Sequence, residues 1–199
     1  MAPSLPTSTV HEFAPAAPIV RAAHQPAELA AIWQFRYGIY VAEMGKPLAC
    51  ADHARRWLCE PADQDARHLY VAAAGAVVGS MRLHVGRLPA TVGERLDAGR
   101  FGPEAGIGFV SKTMVAAGRR RSQVFAALSQ AAYRAFAEAG LTHVLLHCRP
   151  SLVALYERLG FAPYGVAFVD AEVGPQVAMH IAVATAPAVL RRGAEMEAA

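Results

Sequence analysis

The sequence predicts a mixed α/β (α+β) fold: a central, mostly antiparallel sheet with helices on both faces. Three observations lead there. Of the 199 residues, 54% are apolar, which suits one domain with a substantial core and speaks against a disordered chain. Apolar spacing alternates between a period of two and a period of three to four, so strands and helices interleave. In the middle of the chain a strand-like run, a helix-like run and a second strand-like run follow in order. That implies one local parallel crossover in a sheet that is otherwise antiparallel.

The prolines and small residues of MAPSLPTSTVHEFAPAAP predict a flexible segment over residues 1–18. It lacks the basic start and apolar centre of a secretory signal. Pro18 to Ala22 (PIVRA) reads as a first strand. From Pro26, Leu29, Ile32, Trp33, Arg36, Tyr40 and Glu43 recur at three or four, predicting a helix that Gly45 and Pro47 end. Asp52 to Cys59 reads as a second short helix capped by Asp52.

HLYVAAAG and AVVGSMRLHVG then predict a hairpin that turns at Gly75. A loop with a short helix (Val92 to Phe101) leads into a strand over Ile107 to Val115. Gln123 to Ala139 reads as a helix with Val124, Leu128, Ala131 and Ala135 on its apolar stripe, stopped by Gly140. LTHVLLHC is a buried strand, Ser151 to Leu159 a short helix ended by Gly160, and VAFVDAE with QVAMHIAV a closing antiparallel pair. No internal repeat or long linker appears. The expectation is one domain over residues 19–185 and a frayed tail over 186–199.

Charge and cysteine content narrow the function classes. A net charge of +3 does not demand a nucleic acid, and the only arginine run lacks interleaved aromatics. Three cysteines without a close CxxC pair suit a reduced, cytoplasmic protein. His143, His147 and Cys148 are close in sequence but alternate faces poorly for one ion, so no metal is expected. No apolar run reaches the length of a membrane span.

Met114 to Leu128 (MVAAGRRRSQVFAAL) is the most informative stretch. Arg119, Arg120 and Arg121 stand before a helix N-terminus, where the helix dipole favours negative charge. Three adjacent cations oppose that dipole and repel one another. A docked anion would relieve both, and this reading is preferred to a bare solvated turn, most of all for Arg120.

The element order and the motifs within it resemble the GNAT superfamily of N-acyltransferases. Leu155-Tyr156-Glu157-Arg158-Leu159-Gly160-Phe161 is similar to a signature on that superfamily's last short helix, and it follows strand LTHVLLHC at the corresponding place. The arginine stretch aligns without a gap to the carrier-binding segment Val-x-Pro-x-x-Arg-x-x-Gly-Ile/Val-Gly-x-x-Leu. Val115, Arg120, Val124 and Leu128 match; Ala117 replaces the proline; Gln123 and Phe125 replace the two glycines. Those glycines let backbone amides approach a pyrophosphate, so their loss implies a narrower cradle or another mode of holding the phosphate.

A branch is also indicated. FRYGIYVAEMGKP (Phe35 to Pro47) resembles an Arg-x-x-Val/Ile-Phe/Tyr-x-x-Glu element of acyl-homoserine-lactone synthases and long-chain N-acyl amino acid synthases. Gly79-Ser80-Met81-Arg82-Leu83 is similar to their Gly-Ser-x-Arg-Leu strand, and Ser111-Lys112 stands where they often carry Ser-Arg. ADQDARHLYV resembles their acidic Asp-x-x-Asp segment with one residue fewer between the carboxylates. Phe109 holds the place of their usual acidic residue on the fourth strand. With the acidic pattern broken, lactone synthesis itself is not expected to transfer.

The resemblance implies a GNAT-like sheet with a splayed parallel strand pair. It implies an N-acyltransferase moving an acyl group to a small-molecule amine. The donor would be acetyl-CoA, another acyl-CoA, or the phosphopantetheine thioester of an acyl carrier protein. The carrier would be held by the backbone and side chains of Val115, Ala117, Gly118, Arg119, Arg120, Arg121, Ser122, Gln123 and Val124. Arg36, Tyr40, Glu43, Arg82, Phe109 and Ser111 are the acceptor- or acyl-side candidates. Amide formation from a thioester needs a neutral amine, a donor for the carbonyl oxygen and a proton for the leaving thiolate. Tyr156 is the candidate acid. The base is left open among His84, His147 and a water relay. A non-catalytic acyl-thioester sensor that keeps the same fold is the alternative function class.

Overall fold

The computed structural model describes residues 17–192. The expected flexible segment therefore lies almost wholly outside the described residues. The first short strand, β1 (Arg21–Ala22), pairs antiparallel with β4 (Arg67–Ala73), and β4 pairs with β5 (Ala76–Val85). The turn between β4 and β5 places Ala74 at φ 49° and Gly75 at φ 77°, the paired positive values that match strand twist in a tight hairpin. β5 pairs antiparallel with β6 (Ile107–Val115), and β6 pairs parallel with β7 (His143–Cys148). The sheet continues through β10 (Gly174–Ala182), with β8 (Ala162–Pro163) and β9 (Phe168–Asp170) on its outer edge. This is the mixed, mostly antiparallel sheet that the element order predicts, with its one parallel step at the crossover.

α3 (Val124–Glu138) is that crossover and covers one face, here called the back. Its stripe of Leu128, Ala131, Ala135 and Phe136 is buried against Met81, Val110, Val144 and Met179. The approach is closest at Gly79, where an added Cβ would lie 2.4 Å from Val124 Cγ1 and 3.2 Å from Leu128 Cδ1. Gly79→Ala is therefore expected to push the start of α3 off the sheet and to cost about 1–3 kcal/mol in denaturant unfolding. α4 (Val153–Glu157) sits beside α3 on the same side, with Tyr156 in the back core.

The front face carries α1 (Pro26–Tyr37), α2 (Ala90–Arg95) and a small second sheet, β2 (Ala51–Asp52) with β3 (Trp57–Leu58). Leu96, Phe109, Leu145 and Ala178 form the front core under α2. Three elements differ from expectation. The second helix is instead the β2–β3 hairpin: Asp52 Oδ1 caps its turn, accepting from Arg55 N at 2.9 Å. The long first helix changes character at Gly38–Glu43, which is π-helical, with Met44 N donating to Ile39 O at 2.9 Å. The tail expected from residue 186 does not fray at once: Ala186 and Leu190 are buried, and α5 (Ala188–Arg191) packs on α3.

Candidate active site

β6 and β7 are paired only from Ile107↔His143 to Val110↔Leu146. Beyond Leu146, β7 follows β10 through Cys148, while β6 follows β5 through Val115. The two parallel strands thus part, and the edge of β6 from Ser111 to Val115 has no strand partner on that side among the described residues. A half-buried edge of this kind offers backbone donors and acceptors to an extended ligand.

A bulge in β6 sits at the parting. Ser80 pairs with Met114 but Arg82 with Ser111, so Met81 opposes both Lys112 and Thr113. Lys112 takes φ 50°, a left-handed conformation costly for any residue with a Cβ. The extra residue re-aims the side chains. Ser111 and Lys112 both turn to the front, where Ser111 Oγ accepts from Arg82 Nε at 2.9 Å and Lys112 Nζ lies 2.5 Å from Glu60 Oε1. Thr113 turns to the back, beside Tyr156.

The front of the bulge rests on a buried ionic cluster. Arg36 Nη1 donates to Asp63 Oδ1 at 2.7 Å, and Arg82 Nη1 donates to Asp63 Oδ1 at 3.0 Å and to Glu60 Oε2 at 2.7 Å. Arg36 Nη2 donates to His68 Nδ1 at 2.9 Å, while His68 Nε2 donates to Asp63 O at 3.2 Å, which makes His68 a neutral imidazole. Burial, together with the Arg36 charge, holds its pKa below the usual range. Burial pushes the Asp63 carboxyl up, but the Arg36 and Arg82 guanidiniums outweigh it and hold it at about 2. Glu60 is also lowered: burial raises it, and Lys112 and Arg82 prevail.

This cluster revises several expectations. Arg36 is fully buried and acts on Asp63, out of reach of a ligand. The π-helical segment breaks the shared face expected for Arg36, Tyr40 and Glu43. Tyr40 instead holds its ring 5.0 Å from Lys112 Nζ, and Glu43 pairs with Arg120. Phe109 is 1% exposed and packs in the front core, so it lines no open path. Arg82 and Ser111 do lie at the bulge, bonded to each other.

Sequence reading missed Glu60 with Asp63 as its partner, and named Lys112 without giving it a role. The signal was present: Glu60-Pro61-Ala62-Asp63 has the Asp-x-x-Asp spacing with glutamate in the first place. The Asp63/Asp65 pair chosen from the sequence has the wrong spacing. Its second member, Asp65, makes no ion pair in the cluster among the described residues; with Glu60, His84, Arg87 and Glu172 it lines a cleft of about 610 Å³.

The two candidate histidines differ in what they leave available. His84 Nε2 faces Ala62 O at 2.9 Å and so carries the proton; Nδ1 is buried without a partner. His147 is the first β7 residue past the paired stretch. Its Nδ1 lies 3.0 Å from Gln176 Oε1. Gln176 Nε2 donates to Gly174 O at 3.3 Å and Pro175 O at 2.8 Å, which fixes Oε1 as the atom facing the ring. An amide oxygen only accepts, so His147 Nδ1 carries the proton and Nε2 keeps its lone pair. Burial pulls the pKa of both histidines down, favouring the neutral ring. His147 stacks on Phe109 at 5.8 Å between centroids, which sets its plane.

On the back, the Tyr156 ring is held edge-on by Phe125 and Phe161, each 6.0 Å away between centroids. Burial pushes its phenol up to about 12, with the nearby Thr113 hydroxyl working weakly in the other direction. Cys148 is buried beside Met179, and burial pushes its thiol up to about 11, so it is no nucleophile at neutral pH.

The arginine turn is exposed from Ala117 through Gln123, a short 3-10 turn (Ala117–Arg119) leading to the start of α3. Arg121, at φ 78°, makes the sharp entry to α3. Val124 N donates to Ser122 Oγ at 3.3 Å, leaving the next amides of the first helical turn open. Arg120 is engaged: its guanidinium reaches Glu43, and Nε donates to Val115 O at 3.2 Å. Arg119 and Arg121 are exposed and have no such ties among the described residues, so the two outer arginines, rather than Arg120, are the ones presented to solvent. Gln123 is exposed and Phe125 half-buried against Tyr156, so neither residue replaces strand pairing across the parting. Among the described residues no group of three or more His, Cys, Asp or Glu is arranged to hold a metal, and no helix is long and apolar enough to cross a membrane.

Comparison with solved structures gives the same architecture. An acyl-homoserine lactone synthase, the CoA-dependent BjaI with SAM and isopentyl-CoA, aligns at TM-score 0.71 and 19% identity, over 87% of this chain and 86% of that one. FeeM, an N-acyl amino acid synthase from uncultured soil microbes, aligns at TM-score 0.66 and 16% identity, over 84% and 91%. A putative N-acetyltransferase from Lactobacillus plantarum aligns at 0.63 and 17%, over 84% and 99%. At these identities the likeness shows the fold. No curated protein sequence matches the chain. The family of N-acyl amino acid synthase FeeM matches residues 31–182, from within α1 to the end of β10. The chain belongs to that family, the N-acyl amino acid synthases of the FeeM type, and is an acyltransferase.

Proposed function

We propose that the protein joins an acyl group from a CoA or acyl-carrier-protein thioester to the amine of an amino acid, by direct attack where β6 and β7 part. The observation that carries this reading is the pairing of groups across that opening. A histidine with a fixed lone pair stands at the front and a phenol held protonated stands at the back. The pantetheine arm lies along the unpaired edge of β6, with its phosphates over the start of α3 and beside Arg119 and Arg121. The amino acid enters from the front, beside the Glu60–Lys112 pair.

The chemistry follows. The amine nitrogen attacks the thioester carbon, and His147 Nε2 takes the amine proton. The carbonyl oxygen, as it gains charge, accepts from a backbone N–H of the unpaired β6 edge. The C–S bond breaks, and Tyr156 gives its proton to the departing sulfur, whose thiol has a pKa of roughly 8.5. The products are an N-acyl amino acid and a free thiol, and the proton on His147 returns through solvent to tyrosinate.

The test is thiol release and mass-detected product from acetyl-, medium- and long-chain thioesters of CoA and of acyl carrier protein, each offered with the twenty amino acids. Acylated amino acid from at least one pair supports the reading; thiol release by water alone, or no release, overturns it. Tyr156→Phe is expected to lower kcat roughly 100-fold with donor KM unchanged, since it removes only the proton. Unchanged kcat would remove Tyr156 as the acid.

A further inference from the structure

Five charged side chains meet at the front of the β6 bulge and do not balance. Arg36, Arg82 and Lys112 supply three cations against the two carboxylates of Glu60 and Asp63, and His68 is neutral by its hydrogen bonds. Side-chain exposure is 12% at Lys112 and 6% or less at both arginines, so water compensates the surplus poorly. Asp65 and Glu172 line the cleft beside Glu60, but among the described residues neither forms an ion pair with the cluster, and Glu172 accepts from Ala49 N at 3.4 Å.

Within the cluster Lys112 has unused capacity. An ammonium has three donors. Among the described residues it meets one carboxylate, Glu60, and one ring face, Tyr40. Arg36 is walled in, and Arg82 spends Nε on Ser111 and Nη1 on Glu60 and Asp63. Lys112 also stands two residues past Val110, the last β6 member of the paired stretch, as His147 stands one past Leu146. Both turn to the front, so they stand on the same face of the sheet on either side of the parting.

We propose that Lys112 is the anchor for the acceptor's carboxylate, so that the enzyme selects amines bearing a carboxylate on the adjacent carbon. This rests on the acyl-transfer reading above and adds which residue reads the acceptor. An α-amino acid places its carboxylate one carbon from its amine. With the carboxylate on Lys112 Nζ, the amine is directed to His147 Nε2 and the side chain to the Glu60 end of the front cleft. The incoming carboxylate also supplies the charge that the cluster lacks. The left-handed backbone at Lys112 thereby has a purpose: without the bulge, the residue after Ser111 would point to the back face.

The experiment compares wild type, Lys112→Met and Lys112→Arg on three acceptors: the amino acid turned over fastest, its carboxamide, and its decarboxylated amine. Wild type is expected to favour the amino acid by roughly 10- to 100-fold in kcat/KM, the range of a charge-assisted hydrogen bond. Lys112→Met should raise KM for the amino acid to the level of the amide, leave KM for the thioester unchanged, and abolish the preference. Lys112→Arg should retain much of it. The proposal is overturned if wild type treats acid and amide alike, or if Lys112→Met slows all three acceptors equally. Should Lys112→Met fail to fold, the wild-type preference and its retention in Lys112→Arg decide the matter. If no amine is acylated by wild type, the acyl-transfer reading itself falls and takes this one with it; a wild type that acylates without discrimination leaves that reading standing and removes Lys112.

Discussion

His147→Ala is expected to lower kcat by roughly 100- to 10,000-fold, the range for loss of a positioned general base. KM for the thioester should hardly move, because the donor lies along β6. The pH profile gives a second readout. The ring works only when neutral, and burial holds its pKa below the usual histidine value. The acid limb of kcat in wild type should therefore lie below about 6.5, and His147→Ala should lose that limb. Gln176→Ala tests the tautomer argument: it frees the ring to carry its proton on either nitrogen, and kcat should fall while donor binding stays. A wild-type profile flat through the acid range, together with an active His147→Ala, would return the role to solvent.

Asp63→Ala is expected to cost about 3–5 kcal/mol in unfolding free energy, the usual result of breaking a buried ion pair from one side. Asp63 accepts from both Arg36 and Arg82, so its loss leaves two buried guanidiniums without that carboxylate. The same residue predicts acid sensitivity. Its pKa is about 2 in the folded state and near 3.8 in the unfolded chain, so its folded value is depressed. The stability it contributes is present above pH ~4 and is lost as pH falls towards ~2. The size of that loss is about 2 kcal/mol, from less than two pKa units at 1.36 kcal/mol each. Chemical unfolding of wild type between pH 5 and 2 should show this slope, and Asp63→Asn, already less stable, should show a shallower one.

The elements that sequence reading placed well are those in which local pattern and final packing agree. Val124 to Glu138 carries a stripe whose period of three to four matches the face that lands on the sheet, and Ile107 to Val115 matches β6 at both ends. The hairpin at Gly75 was legible because the turn needs positive φ. Asp52 to Cys59 was misread because Asp52 caps a turn as readily as a helix; only the packing of Leu58 under α1 decides between them. The π-helical segment was hidden because its spacing, averaged over two turns, still resembles three and four.

Of the two groups proposed to move protons, Tyr156 was chosen from its helix signature, and His147 was named together with His84. What separates them is Gln176, 29 residues away on β10, and no local pattern shows that contact. Lys112 was noted beside Ser111 but given no role, and alternation along a regular strand would place it on the face opposite Ser111. The bulge that turns both residues forward exists only once β5 is alongside.

The short run of pairing between β6 and β7 has a mechanical consequence. Four register pairs alone join the β1–β4–β5–β6 half of the sheet to the β7–β10 half, while the strands within each half are tied along most of their length. The sheet should therefore breathe about that line, with amide protons of Phe109 and Val110 exchanging before those at the middle of β5 or β10. A thioester arm lying in the gap would act as a rivet between the halves, slowing that exchange and raising the unfolding temperature in proportion to its affinity.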